Sequence, residues 1–191
     1  NLAKLYHEQD NLDQAVTFYK QVLDIKKDFP PALNNYGTIL LHENKFAAAE
    51  RLLKRALAKE PESIHARITL GNIYNRSNQY EKAIKCYYTV LAKKPASVEA
   101  HANLGSTYFN LRQFSKSLTH LEKALEYNSN NVDAHWNRSI TLLAMGRYKE
   151  GWREYEWRWR KSEFQSQKKN YTQPLWDGSI QQNKTLLIWH E

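Results

Sequence analysis

Residues 64–97 read IHARITLGNIYNRSNQYEKAIKCYYTVLAKKPAS. Apolar residues recur at helical spacing up to Tyr74 and again from Tyr80, and the polar residues 75–79 separate the two patterns. Pro95 ends the second pattern, because proline lacks an amide hydrogen and clashes with the preceding turn. Neither helix can bury its apolar stripe alone. The stretch therefore predicts a helix–turn–helix hairpin that packs against neighbouring hairpins.

The same pattern recurs along the chain with a period of 34 residues. Small residues and large apolar residues return at fixed positions of this period: Gly37, Gly71 and Gly105; Ala32, Ala66, Ala100 and Ala134; and Tyr19, Leu53, Tyr87 and Leu121. A small residue lets two helices approach closely, and a large residue fills the space beside it. The recurrence predicts a series of hairpins that share one mode of helix packing.

This pattern resembles the tetratricopeptide repeat, in which Leu-Gly, Tyr, Ala, a large apolar residue and Pro recur at the same period. The resemblance covers residues 1–160. It implies an all-α fold, a right-handed α-α superhelix of about five helix hairpins, followed by a short extension. The expected repeats are residues 1–29, 30–63, 64–97, 98–131 and 132–161.

The sequence changes character after residue 161. Residues 162–182 lose the helical period and predict a linker, and residues 183–191 contain an apolar run that predicts a buried β-strand. Residues 137–191, with EGWREYEWRW, PLWDGS and TLLIWHE, resemble the junction in bacterial proteins that carry tetratricopeptide repeats ahead of a glycosyltransferase domain. Those domains are similar to heptosyltransferases and, more distantly, to O-linked N-acetylglucosamine transferases.

This second resemblance implies that the sequence is a segment of a longer glycosyltransferase, with residues 183–191 as the first strand of a truncated α/β domain. Such an enzyme uses a nucleotide sugar as donor, and its repeats would select the acceptor. No catalytic residue and no cofactor site is expected in the segment itself, since it contains no Gly-rich phosphate loop and no G-x-S-x-G motif. The alternative is a non-enzymatic adaptor made of tetratricopeptide repeats.

In the resembling family, the first helix of each repeat lines a concave groove. Helical-wheel positions away from the buried stripe predict a polar row there, with apolar contacts beside it: Asn34, Asn35, Thr38, Thr69, Asn72, Asn75, Arg76, Asn103, Ser106, Phe109, Asn110, Trp136 and Asn137. Asn is a poor helix former, and its carboxamide offers a donor and an acceptor to an extended peptide backbone. Alternatively, these side chains satisfy neighbouring helix ends or face solvent. The O-linked N-acetylglucosamine transferases are similar in having an asparagine ladder, from which Thr69 departs.

Residues 149–161 predict a last helix that is rich in Trp and Arg. Its aromatic side chains are typical of a capping helix that covers the end of the array. They are also compatible with stacking on nucleic acid or carbohydrate, or with docking of a following C-terminal domain on residues 152–160. Nucleic-acid binding is disfavoured, because the Lys and Arg residues behind the net charge of +8 are spread over outer helix faces and helix ends.

Composition restricts the remaining classes of function. No apolar run is long enough to span a membrane, and the lone Cys86 predicts a thiol in a reducing compartment, so a cytoplasmic location is expected. His101 and His135 lie one period apart with Arg67 in the same slot, which predicts inter-repeat packing rather than metal binding. The expected partner is a protein or peptide, with no membrane, metal or nucleic acid involved.

Overall fold

The structure is a computed structural model that describes residues 2, 5, 6, 9 and 11–161. Within these residues the regular elements are helices: α1 Leu12–Ile25, α2 Pro30–His42, α3 Phe46–Lys59, α4 Ile64–Arg76, α5 Tyr80–Lys93, α6 Val98–Asn110, α7 Phe114–Tyr127, α8 Val132–Ala144, α9 Tyr148–Tyr155 and the 3-10 helix Glu156–Arg160. The all-α prediction is confirmed for this part of the chain. The predicted linker and strand, residues 162–182 and 183–191, lie outside it. None of the described helices is both long enough and apolar enough to span a membrane.

The chain divides into two compact units, Asn1–Asn103 and Leu104–Glu191. In the first unit, α2 pairs with α3 and α4 pairs with α5 as hairpins; α1 packs on α2, and α3 packs on α4. In the second unit, α8 packs on α7, on α9 and on the 3-10 helix.

The turn inside each hairpin places one residue in the left-handed region at the same repeat position. The φ angle is 60° at Asn44, 59° at Asn78, 57° at Arg112 and 74° at Gly146. The following residue donates its amide hydrogen back across the turn, as from Gln79 to the Tyr74 carbonyl at 2.8 Å. This closure satisfies carbonyls at the end of the first helix. Gly and Asn tolerate the left-handed region, whereas Arg adopts it at a cost.

The close approach of α4 and α5 depends on Gly71, which faces the ring of the fully buried Tyr87. A Cβ atom at position 71 would lie 2.5 Å from Tyr87 Cε1. Gly105 has the same relation to Leu121, because its Cβ atom would lie 2.5 Å from Leu121 Cγ. The recurring small and large residues of the sequence therefore form the contact between the two helices of a hairpin.

The end of the described chain differs from the prediction of one helix over residues 149–161. The α-helix α9 stops at Tyr155, and the 3-10 helix follows. Trp157 stacks on His135 of α8 with ring centroids 3.7 Å apart, and Arg158 Nη1 donates to the Tyr155 carbonyl at 3.2 Å. The tighter winding accompanies both contacts, of which the stacking on His135 holds the segment against α8.

Candidate functional site

In the first unit, Asn72 links three helices through one carboxamide oxygen. The Tyr87 hydroxyl donates to Asn72 Oδ1 at 2.7 Å, and Asn103 Nδ2 donates to the same atom at 2.9 Å. Burial raises the pKa of the Tyr87 hydroxyl above its ordinary value, so this group stays a donor. Both lone pairs of the Asn72 oxygen are then used, and neither bond involves its amide NH2 group.

Two members of the predicted polar row are not exposed. Asn34 and Thr69 retain only 6% and 5% of their accessible surface, so the prediction of exposure is wrong for both. The Thr69 hydroxyl donates to the His65 carbonyl at 3.0 Å, and the Thr38 hydroxyl donates to the Asn34 carbonyl at 3.1 Å. Hydroxyls that bond one turn back along their own helix are turned toward the backbone rather than outward.

Arg76 is committed to the turn of the preceding hairpin. Its Nη1 donates to the Leu41 carbonyl at 3.0 Å, and its Nη2 donates to Asn44 Oδ1 at 2.7 Å. These bonds tie the end of α4 to the turn between α2 and α3. Among the other members of the row in this unit, Asn35, Asn75 and Asn103 are half-buried.

A pocket of about 200 Å³ opens between the start of α2, the end of α3 and the start of α4. Pro30, Pro31 and Ala56 form apolar parts of its wall, and Asn34, Glu60 and His65 are among its polar lining residues. Asn34 Oδ1 is buried and has no hydrogen-bond partner in the described part of the chain. Sequence reasoning picked out Asn34 and Asn35 but not the rest of this pocket, because the other lining residues come from helix ends and a turn.

In the second unit, the predicted groove residues differ in their surroundings. Ser106 and Asn137 are half-buried, and Asn110 is exposed. The Phe109 ring lies against Phe114 with centroids 5.7 Å apart, and the Trp136 ring lies against Tyr155 with centroids 5.1 Å apart.

His135 lies at the centre of a buried polar cluster in this unit. Its Nδ1 lies 2.5 Å from Glu154 Oε2, its Nε2 lies 2.9 Å from the Ser129 carbonyl, and Arg138 Nη1 donates to Glu154 Oε1 at 2.9 Å. A carbonyl only accepts, so Nε2 carries a hydrogen. The imidazole ring also stacks on the ring of Trp157.

The slot that His135 occupies has one recurring contact. Arg67 Nη2 donates to the Pro61 carbonyl at 2.6 Å, and His101 Nε2 lies 3.1 Å from the Pro95 carbonyl. In each case the side chain reaches the carbonyl six residues earlier, in the turn before its own helix. The basic residue therefore secures that turn. The structure describes no group of three or more His, Cys, Asp or Glu residues that could hold a metal ion.

Two cationic side chains of the Trp-rich end stack on aromatic rings of the same unit. Arg158 lies 4.5 Å from the Tyr155 ring and 4.1 Å from the Trp159 ring, and Arg160 lies 4.0 Å from the Trp157 ring. Nucleic-acid binding by these two guanidinium groups would compete with these contacts. Trp152 keeps 47% of its surface exposed and remains open to a partner.

Comparison with protein families decides what the recurring hairpins are. Three models of the tetratricopeptide repeat match residues 1–31, 40–102 and 98–131. The chain carries a tetratricopeptide repeat array. The match over residues 40–102 includes α3 and the whole hairpin α4–α5, with the buried contact between Gly71 and Tyr87.

Solved structures show the same fold. A crystal structure of MamA is 18% identical, with a TM-score of 0.68, and the match covers 88% of this chain and 98% of that chain. MamA from Desulfovibrio magneticus RS-1 is 19% identical, with a TM-score of 0.67 and coverage of 89% and 94%. YrrB, described as a tetratricopeptide protein with an unusual peptide-binding site, is 17% identical, with a TM-score of 0.61 and coverage of 83% and 81%. No curated protein matches the chain.

Proposed function

We propose that the array is a protein-interaction scaffold that binds an extended peptide segment of a partner along its first helices. The observation that carries this proposal is the Asn72 arrangement, in which Tyr87 and Asn103 hold one carboxamide in a single orientation. A donor fixed before the ligand arrives loses little conformational entropy on binding. The description of YrrB as peptide-binding supports the same use of this fold.

The chemistry suits main-chain recognition. The Asn72 NH2 group can donate to a backbone carbonyl of the ligand, which every peptide presents regardless of sequence. The half-buried Asn35 and Asn103 belong to neighbouring first helices of the same unit and extend this polar face. For the second unit, taken by itself, the proposal names Ser106, Phe109, Asn110, Trp136 and Asn137 as peptide contacts.

The test uses a random peptide library displayed on phage, panned against the array, with the affinities of the selected peptides measured by fluorescence anisotropy. Asn72→Asp retains the oxygen that accepts from Tyr87 and Asn103 but removes the NH2 donors. We expect peptide affinity to fall about tenfold, with an unchanged melting temperature.

Asn130→Asp is the matched control, because Asn130 is exposed in the turn after α7 and carries the same change of charge. Full binding to Asn72→Asp, or a library from which no peptide is enriched, would contradict the proposal.

A second proposal concerns the longer protein. We infer that the array is the acceptor-recognition region of a bacterial, cytoplasmic glycosyltransferase that uses a nucleotide sugar, and that a following domain docks on residues 152–160. Support comes from the resemblance of residues 137–191 and from the exposed Trp152. PLWDGS and TLLIWHE lie outside the described residues.

The coding sequence after Glu191 tests this second proposal. A Gly-rich turn followed by alternating strands and helices is expected, whereas a stop codon or further repeats would remove the proposal. The segment alone is expected to turn over no nucleotide sugar.

A further inference from the structure

The pocket beside Asn34 combines a small volume with an unused acceptor. Asn34 exposes only 6% of its surface, and its Oδ1 has no hydrogen-bond partner among the described residues. A buried acceptor without a partner is costly to the free protein. The terminal torsion of an Asn side chain is broad, so the carboxamide can turn toward a donor that enters the pocket. A ligand that carries an N–H group could therefore donate to Asn34 Oδ1.

The charge of the pocket narrows the choice of donor. Among the residues that line it, Glu60 carries the one carboxylate, and no Lys or Arg is present. Glu60 is exposed and forms no ion pair with another described side chain. A carboxylate that lines a partly apolar pocket favours a cationic group over a neutral amide.

The walls and the volume fit one side chain. Pro30, Pro31 and Ala56 offer apolar surface to a methylene stem, as long cationic side chains prefer. The volume of about 200 Å³ is below the range of about 300–1,000 Å³ that is typical of sites for whole small molecules. The pocket therefore suits part of a larger ligand.

We infer that this pocket binds a lysine or arginine side chain of the peptide that the array recognises. The cationic head meets Glu60 and Asn34 Oδ1, and the stem lies against the two prolines. The inference rests on the proposed peptide-binding function and adds a specificity element to it. The net charge of +8 does not enter the argument, because the cationic side chain is selected by the carboxylate of Glu60 beside it.

The experiment compares peptides enriched from a random phage-displayed library by the unmodified array. We expect Lys or Arg at one fixed position of these peptides. Replacing that residue with norleucine keeps the stem and removes the charge, and should lower affinity about tenfold. Glu60→Gln should lower affinity for the basic peptide by a similar factor but leave affinity for the norleucine peptide unchanged. Glu81→Gln, at another exposed Glu, on α5, is the matched control and should change neither affinity.

Asn34→Leu provides a second measurement on the same pocket. It removes the unpartnered oxygen while retaining the branching of the side chain, so the melting temperature should stay equal or rise while affinity for the basic peptide falls. A fall in melting temperature would show that Asn34 is already satisfied in the free protein and would overturn the inference.

The remaining outcomes separate the two proposals. Enriched peptides without a fixed basic position, or with full affinity for Asn34→Leu and Glu60→Gln, overturn the pocket and leave peptide binding in place. A library with no enriched peptide overturns peptide binding itself, and the pocket with it.

Discussion

The first-helix face of the first unit and the Trp-rich end of the second unit use polar side chains in opposite ways. Around Asn72, neutral groups meet, and two donors share one oxygen, which leaves an NH2 group unused. Around His135, a ring nitrogen, a carboxylate and a guanidinium bond one another beneath the ring of Trp157. The first arrangement leaves an NH2 group available to a ligand, whereas in the second both ring nitrogens of His135 and both oxygens of Glu154 are bonded within the fold. A polar residue in a repeat is therefore a binding candidate only after its internal bonds have been counted.

The largest effect on stability is expected at the polar cluster around His135. His135→Phe preserves a ring for stacking on Trp157 but removes both ring nitrogens, so the Ser129 carbonyl and one oxygen of Glu154 lose their partners. We expect the free energy of unfolding to fall by about 3 kcal/mol, measured by urea denaturation with circular dichroism. A loss below about 1 kcal/mol would mean that the cluster does not stabilise the end of the array.

A smaller loss of stability is expected at Asn72, on the first-helix face of the first unit. Asn72→Ala leaves the buried Tyr87 hydroxyl and Asn103 Nδ2 without their shared acceptor, so the free energy of unfolding should fall by about 2 kcal/mol. Adding Tyr87→Phe to this variant should cost less than it does in the unmodified protein, because the hydroxyl has already lost its partner. Additive losses in the same denaturation assay would show that the bond from Tyr87 to Asn72 contributes nothing.

The smallest effect is a gain at a turn position that both units share. Arg112 has a φ angle of 57° where Gly146 has 74°. Arg112→Gly should raise the free energy of unfolding by about 1 kcal/mol, because glycine adopts the left-handed region without the clash of a Cβ atom. Arg112→Ala is the control, since it removes the long side chain but keeps the Cβ atom, and it should bring no such gain in thermal melts. Equal stability of the two variants would remove backbone strain as the cause.

The sequence predicted the helices, because the period of 34 residues repeats small and large residues at positions that meet across each hairpin, as Gly71 and Tyr87 do. It predicted exposure less well, because a helical wheel gives the direction of a side chain from its own axis but not the distance to the next helix. Asn34 and Thr69 are buried although the wheel places them away from the apolar stripe. The pocket beside Asn34 was also missed, since Glu60 and His65 come from helix ends, which carry no periodic signal.

The contact made by Arg67, and repeated by His101 and His135, depends on the length of the turn that precedes each helix. Each side chain reaches one carbonyl six residues before it, so an inserted or deleted residue in that connection would move the carbonyl out of range. One bond near the start of each of these helices therefore favours a connection of fixed length between successive repeats. Each of these three repeats contains both partners of the bond, so duplication of such a repeat in the gene would copy the bond together with the turn that it holds.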